Sequence, residues 1–579
     1  MEGLRFIGLD FETLLVKRSH KFYSFQVYSE DYPNTTGVFY DPTDLYRFFS
    51  KKYDRAVFAV FNLHFDGILI SKILNDYPVN GPFHPIGYSD YKVSALYSRG
   101  HLKSMRIERG KYKWRVYDLQ NVFRVRTLAK LAESIGLKKL ERPAFLGQRP
   151  PENEEEKRAF EDYALNDAKI VYYAIKKVYD EFKTIRSTAG GLSIRVFKRD
   201  YWGRFNFVRL DPESEKFVRS AYKGGRTECF IRGCIPDKVY HYDVNSMYPF
   251  VMMHNRFPNV LFSPREKLSV NLDWEGVAEA LVYVDDDIPP LGVRLLHPDG
   301  FKRLTFPQGR FWGFFTYPEL RYIEEKKIGK ILAIRKALEW NSTFSPFYKF
   351  VKDFYKKKEK AENEGSVERT LYKLVLNSLY GKFGEWGELE KVILKGEMIV
   401  GKEKVDTRKK WYHNPVLSAY ITAYARLYLH EIMEKVGEKS LVYCDTDSVF
   451  SLRPLPSLEG RELGMLKLKG EAREGLSWFF RSKFYVFEKD IIVKGFNMKM
   501  KVPQFLSLIF MNQTKVLQTK ILKLIEASKR GLRPLLQVGV EKMFSVTEDF
   551  KRKYHKYLDH KRILFEHTYS DPIVLKGGF

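Results

Sequence analysis

The stretch VERTLYKLVLNSLYGKFG, Val367–Gly384, decides how this chain is read. On a helix, Arg369, Lys373, Asn377 and Tyr380 fall at i, i+4, i+8 and i+11 and make one stripe. Leu371, Leu374, Val375 and Ser378 take the other side. A cationic stripe suits a triphosphate, with arginine offering a fork and lysine a point charge. A basic solvated face would explain the arginine and the lysine, but not Asn-Ser-x-Tyr-Gly. Lys360, earlier in the same basic helical pair (345–380), is a further candidate phosphate contact.

The bulk composition asks for a polyanion. The 579 residues are too many for one core, and 44% hydrophobic with 16% aromatic content excludes a disordered chain. Lys+Arg 99 against Asp+Glu 72 leaves +27, which nucleic acid would neutralise with release of counterions. Cys229, Cys234 and Cys444 form no Cys-x-x-Cys pair, so neither a zinc site nor a disulfide framework is expected. The opening MEGLRFIGLDFET carries a carboxylate at Glu2 and is not a signal peptide, and the longest apolar runs, such as FLSLIFM at 505–511, are too short to span a bilayer. A soluble cytoplasmic monomer with no membrane contact is expected. None of the 12 histidines reads as catalytic; His64 beside Asp66 reads as packing or a DNA contact.

RFIGLDFETLLV and RAVFAVFNL read as buried strands, and 154–182 as one long helix, giving an α/β domain that ends near Lys183. A Lys/Glu-rich patch at 386–411 reads as an exposed β-hairpin, and the basic tail 546–566 as a helix. Carboxylates punctuate this pattern. In LDFET, Asp10 and Glu12 alternate along a strand and share a face. FNLHFDGIL places Asp66 after a strand, with Asn62 and Phe65 just before it, and DYALNDAKI places Tyr163 and Asp167 on one helix face. HYDVNSMYPF ends an apolar strand in Asp243 before a turn into Tyr248 and Pro249. VYCDTDSVF sets Asp445 and Asp447 in a polar step that is good turn chemistry and equally a pair of metal-holding carboxylates. Singly, each reads as a salt-bridged strand, a solvated face or a turn. In order, the first group is the pattern of a two-metal phosphodiester-cleaving site.

The order and spacing resemble the family B DNA polymerases, from Asp10 to about Tyr485. The resemblance implies a mixed α/β, multidomain fold: an RNase H-like 3′→5′ exonuclease followed by a right hand of palm, fingers and thumb with two palm insertions. Asp10, Glu12, Asp66 and Asp167 would be the exonuclease metal ligands, Tyr163 would orient the attacking water, and Asn62 and Phe65 would hold the 3′ end. Asp243, Val244 and Asp447 would be the polymerase metal ligands, with Asp445 as close helper. Two Mg²⁺ per site are implied, with Mn²⁺ as substitute, and DNA primer-template and dNTPs as partners. Tyr248 would pack under the incoming sugar and reject ribose. Lys373, Asn377 and Tyr380 match the fingers motif, AYKGGRTECF matches Tyr-x-Gly-Gly through Tyr222, Gly224 and Gly225, and SKFYVF matches Lys-x-Tyr through Lys483 and Tyr485. Gly224 and Gly225 would let backbone approach a template phosphate.

Asp10 leaves no room for the domain that precedes the exonuclease in conventional members, which implies the compact branch that uses a terminal protein as primer. That reading divides the chain into exonuclease 1–184, palm 185–253, a first terminal-protein region 254–344, fingers 345–384, a second terminal-protein region 385–413, palm 414–520 and thumb 521–579. It also implies strand displacement and a small viral, plasmid or mobile-element genome. One departure stands out. Where the branch carries Ser/Thr-Leu after Tyr-Asp, VYDLQNVFRV has Leu119 and Gln120, with Asp118 and Asn121 as substitutes, and Lys138, Lys139 and Arg142 compete for the branch's exonuclease lysine. A conventional nucleic-acid-primed enzyme and an inactive nucleic-acid-binding scaffold stay open as alternatives.

Overall fold

The computed structural model describes residues 4–75, 90–98, 100–385, 389–406, 410–496, 498 and 500–577. Its N-terminal unit is built on the strand Arg5–Val16, which is buried on both faces at first and then alternates, so that Asp10 and Glu12 emerge on one side. This strand pairs in parallel with Ala56–Val60, which in turn runs parallel to Tyr112–Asp118. The helix Glu154–Phe182 has the bounds expected from its periodicity, is capped by Asn153 and ends at Lys183 in the left-handed region. It seats directly on the first strand. A Cβ at Gly8 would lie 2.2 Å from the Ala168 carbonyl oxygen, so only glycine allows this approach.

Nine strands form this sheet, in the order Met398–Val405, Leu389–Lys395, Tyr91–Ser98, His101–Arg109, Tyr112–Asp118, Ala56–Val60, Arg5–Val16, Ser19–Tyr28, Gly37–Phe39. The first two are the hairpin expected within 386–411. It is no exposed excursion: Leu389–Leu394 pairs antiparallel with Val93–Ser98, and Val392 and Leu394 enter the N-terminal core. Of the expected 385–413 region, 386–388 and 407–409 lie outside the described residues.

A second sheet, in the order Leu466–Ala472, Val239–Val244, Ser448–Ser451, Leu441–Asp445, Thr227–Cys229, is backed by the buried helix Pro415–Val436. The basic helical pair is present as Tyr348–Asn363 and Glu368–Ser378. Residues 254–344 form mainly a sheet of their own, Arg265–Lys267, Gly329–Trp340, Glu275–Val284 and Gln308–Thr316, which Val574–Lys576 joins in parallel.

The tail corrects the sequence reading. Instead of a helix over 546–566, the chain forms the strand Arg552–Tyr554, paired with His567–Pro572, and a short 3-10 turn at Arg562–Leu564. Tertiary pairing overrides local propensity here. The Arg552 side chain is buried and donates to the Ser570 hydroxyl and carbonyl, both at 2.9 Å, which a solvated helix could not provide. Among the described residues no helix is long and apolar enough to cross a membrane.

Candidate functional site

Two carboxylate centres lie in separate parts of the fold. In the N-terminal centre, oxygens of Asp10, Glu12 and Asp167 approach within 4.8 Å of one another. Asp10 and Glu12 come from the strand, Asp167 and Tyr163 from the overlying helix, and Asp66 from the first turn of Leu63–Leu74. Four of the five are thus aimed by secondary structure already legible in the sequence. Burial pushes Asp10 well above the usual carboxylate range, and the charges of Asp66, Asp167 and Glu12 push it further. Burial, with Asp167, lifts Glu12 to about 7. Asp66 is raised by burial and by Asp118, which is itself lifted to about 7 by burial. Crowded, desolvated carboxylates of this kind fit a divalent cation, whose charge would reverse every one of these shifts.

The structure singles out Lys139 from the three competing cations. Its Nζ donates to both Asp167 carboxylate oxygens and, at 3.1 Å, to the Tyr163 hydroxyl, and it lies 4.2 Å from the centre of the Tyr163 ring. Arg142 bears on Glu12 and Tyr163 only through its charge. Asp118 caps the helix Leu119–Phe123 through the Gln120 N–H, and Asn121 donates to Asp118 and to the Leu102 carbonyl. Asn62 is exposed at the helix entry, and Phe65 meets the His20 ring edge-on at 5.2 Å.

In the second centre, Asp243 lies near the end of its strand, opposite Ser448, and Asp445 and Asp447 flank the hairpin turn between Leu441–Asp445 and Ser448–Ser451. Thr446 has φ +65°, and its N–H donates at 2.6 Å to the Arg226 carbonyl. The Val244 N–H donates at 2.8 Å to the Asp447 carbonyl, which ties the two strands together beside the carboxylates. Lysines face two of them. Lys469 Nζ is 3.1 Å from Asp243, and Lys483 Nζ donates to both Asp445 oxygens at 2.6 and 2.7 Å. Burial, with Asp243 and Asp445, lifts Asp447 to about 6, against the opposing charge of Lys469. This set also fits a divalent cation.

Of the stripe, Lys373 feels Asp243, while Arg369 acts on Lys373 and pairs with Glu362 at 3.0 Å. Burial lowers Lys373, as do Lys469, Arg369 and Lys467, while Asp243 opposes them. Buried Arg369 Nε and Asn377 Oδ1 make no hydrogen bond. Tyr380 begins a short separate helix and stacks on Tyr248 at 4.0 Å and 13°. Lys360 is not brought in: it is exposed and pairs with Glu364 at 3.8 Å. Lys358, two residues earlier, is buried and feels Arg369 and Lys373 instead. A half-turn on a helix separates the two, which spacing alone did not settle.

Tyr222, Gly224, Gly225, Tyr248, Tyr380 and Thr446 line one open cavity of about 890 Å³. A Cβ at Gly225 would lie 2.8 Å from the Thr446 side chain, whereas one at Gly224 would meet nothing within 4 Å. Gly225 therefore lets the loop pack on the carboxylate turn, and Gly224 alone faces open space. Arg426, buried in the long helix, donates to the Lys223 and Gly224 carbonyls at 3.0 Å and to Glu319 at 2.8 Å. Tyr485 packs 5.2 Å from Tyr443, whose hydroxyl accepts from the Lys483 N–H at 2.8 Å. Lys467, Lys469, Lys358 and Arg426 carried no sequence signal of their own; each is one basic residue among many.

Residues 148–449 match the family described as DNA polymerase type B, organellar and viral. A DNA-directed DNA polymerase of Enterobacteria phage PRD1 is 28% identical over 421 residues, 67% of this chain and 69% of that protein. A probable DNA polymerase of Podospora anserina is 26% identical over 384 residues, 56% of this chain; the match spans only 31% of that longer protein. In three dimensions the chain shares its fold with Phi29 DNA polymerase complexed with primer-template DNA and incoming nucleotides, at TM-score 0.72 and 18% identity, over 94% of this chain and 100% of the other.

Proposed function

The chain belongs to the organellar and viral type B DNA polymerases, and on that premise we propose that it is a template-directed, protein-primed and strand-displacing DNA polymerase with a separate 3′→5′ exonuclease, copying a small viral, plasmid or mobile-element genome. One observation carries this reading: carboxylates gather in two separate places, and Lys373 of the helix Glu368–Ser378 bears on Asp243 of the second. An inactive binding scaffold has no use for either.

In synthesis, the primer 3′ oxygen forms a bond to the α-phosphorus of the dNTP, and pyrophosphate leaves. Divalent ions, Mg²⁺ or Mn²⁺, held by Asp243, Asp447 and the Val244 backbone would activate that hydroxyl and steady the leaving group. Lys373 and Arg369 neutralise the triphosphate, and the unpartnered Arg369 Nε and Asn377 Oδ1 await a ligand. Lys358 takes the role first assigned to Lys360. The Tyr248 ring closes the space beside C2′, and the tyrosine pair would open as the base pair enters. Gly224 offers its backbone to the template, and Lys483 and Tyr485 stand by the primer end. At the other centre, Asp10, Glu12, Asp66 and Asp167 hold ions, and Tyr163, fixed by Lys139, orients water.

Protein priming rests on the two expected terminal-protein regions, 254–344 and 385–413, whose sheets interrupt the palm. Strand displacement is supported by a closed circuit of contacts. The hairpin tip reaches the N-terminal unit, where Ser71 donates at 2.7 Å to the Gly396 carbonyl and Lys72 lies 3.2 Å from Glu397. Glu397 also meets Arg533 of the thumb at 3.7 Å, and the thumb's Gln537 N–H donates at 2.9 Å to the Arg18 carbonyl. A strand threaded through such a ring cannot leave sideways.

The test uses purified protein, Mg²⁺ and a 5′-labelled primer on a template with a downstream blocking strand, with and without dNTPs. Long products through the block, and shortening without dNTPs, are expected. Extension that stops at the block would favour a conventional nucleic-acid-primed enzyme, and a gel shift without either reaction would leave only a binding scaffold. Initiation from a protein hydroxyl without any 3′-OH primer decides the priming question separately.

A further inference from the structure

The strand Leu466–Ala472 lies at the sheet edge, outside every motif. It pairs antiparallel with the strand of Asp243, and Lys467 stands directly opposite that carboxylate. Lys469, two residues on, falls at an irregularity in that pairing and has no partner opposite it, and its Nζ reaches to 3.1 Å from Asp243 Oδ2. Across the cleft stand Arg369, Lys373 and Lys358 from the helical pair. Lys469 and Lys467 both disfavour the charged form of Lys373, and Lys467 also acts on Glu362, the partner of Arg369 at 3.0 Å. Lys467 and Lys469 of the sheet edge thus act on Lys373, and Arg369 and Lys358 act on Lys373 or feel it from its own side. The acidic groups among them are Asp243, Asp447, Glu362 and Glu359. Such a cluster repels itself unless a polyanion enters, and the buried Arg369 Nε makes no hydrogen bond.

We propose that Lys469, with Lys467, is a palm-side clamp for the β- and γ-phosphates of the incoming nucleotide and for the pyrophosphate that leaves. The inference rests on the DNA polymerase reading above. With divalent ions held by Asp243 and Asp447, Asp243 would no longer need Lys469 as its counter-charge, and the lysine could turn to the phosphates, gripping the triphosphate from the palm as well as from the fingers. Lys483 has no such part: its Nζ donates to both oxygens of Asp445.

The test measures single-nucleotide incorporation and its reverse, pyrophosphorolysis, in wild type, Lys469→Gln, Lys469→Arg and Lys467→Gln. In Lys469→Gln, KM for dNTP and for pyrophosphate should both rise about tenfold to a hundredfold, the loss of one charge-assisted phosphate contact, while kcat changes far less. Lys469→Arg should restore most of the loss, and Lys467→Gln should show a smaller rise of the same kind. Degradation of single-stranded DNA should be unchanged, which also reports that each variant is folded. An unchanged KM with a lower Mg²⁺ requirement would make Lys469 merely the counterion of Asp243 and overturn the clamp, as would a fall in kcat alone. If Lys469→Gln loses its exonuclease along with its fold, the Lys467→Gln KM values decide in the same way. Wild-type protein that extends no primer would instead overturn the polymerase reading itself.

Discussion

The two carboxylate centres use the same side chains under opposite electrostatic regimes. In the N-terminal centre, crowding and burial push Asp10, Glu12, Asp66 and Asp167 all upward, and one lysine, Lys139, answers them. In the palm, Asp243 and Asp445 each face a lysine, and burial, with Asp243 and Asp445, lifts Asp447 to about 6. The difference follows from position. The first centre lies between a sheet and the helix seated on it, with Asp66 and Asp167 buried and Asp10 and Glu12 half-buried. The second lies on an open sheet beside a cleft that must admit a duplex, so side chains from neighbouring strands can reach in. If both hold ions, as proposed, the first is ready to receive them, and the lysines of the second must yield.

The sharpest way to break this comparison is to disable each centre alone. Asp243→Ala should cut primer extension below about a thousandth of wild type, a loss of roughly 4 kcal/mol at the transition state, and leave shortening of a labelled strand intact. Asp10→Ala with Asp66→Ala should do the reverse, and loss of both activities in either variant would disprove two independent sites. Lys139→Ala should slow 3′→5′ degradation about a hundredfold while extension is unchanged, because it removes the group that fixes Tyr163 and Asp167. An equal loss from Arg142→Ala would return the role to that competitor.

The palm's dependence on distant anchors gives a stability prediction. Glu319 is fully buried, pairs with Arg426 at 2.8 Å and also accepts from the Thr316 N–H at 2.9 Å. Glu319→Gln leaves Arg426 uncompensated and should lower stability by roughly 3–5 kcal/mol, read in thermal unfolding, with extension reduced through the Lys223–Gly224 loop that Arg426 holds. A melting temperature within a degree of wild type would mean the loop needs no such anchor. The smallest effect belongs to the ring: Glu397→Gln should reduce processivity on long templates only up to about fivefold, more at low salt than at high, since Arg533 is largely exposed.

Much of this was legible in the chain itself. The strand bearing Asp10 and Glu12, the helix bearing Tyr163 and Asp167 and the pair bearing Arg369 and Lys373 have the expected elements, because period 2 and period 3.6 are local properties. Where local propensity competed with long-range pairing, the reading failed. Residues 546–566 look helical, but form a strand and turns because Arg552 and Tyr554 find partners in His567–Pro572.

The sequence by itself determined which carboxylates occur and in what order, and the stripe of Arg369, Lys373 and Asn377 on one helix, since those depend on residue type and short spacing. Only the tertiary structure decided that Lys139 rather than Lys138 or Arg142 meets Tyr163, that Lys358 rather than Lys360 turns inward, and that the 389–405 hairpin closes onto Tyr91–Ser98. It also brought Lys469 to Asp243 across more than two hundred residues of chain. The physical reason is one of range: periodicity fixes which face a side chain takes on its own element, but which faces meet is set by how sheets and helices pack, and no spacing along the chain records it.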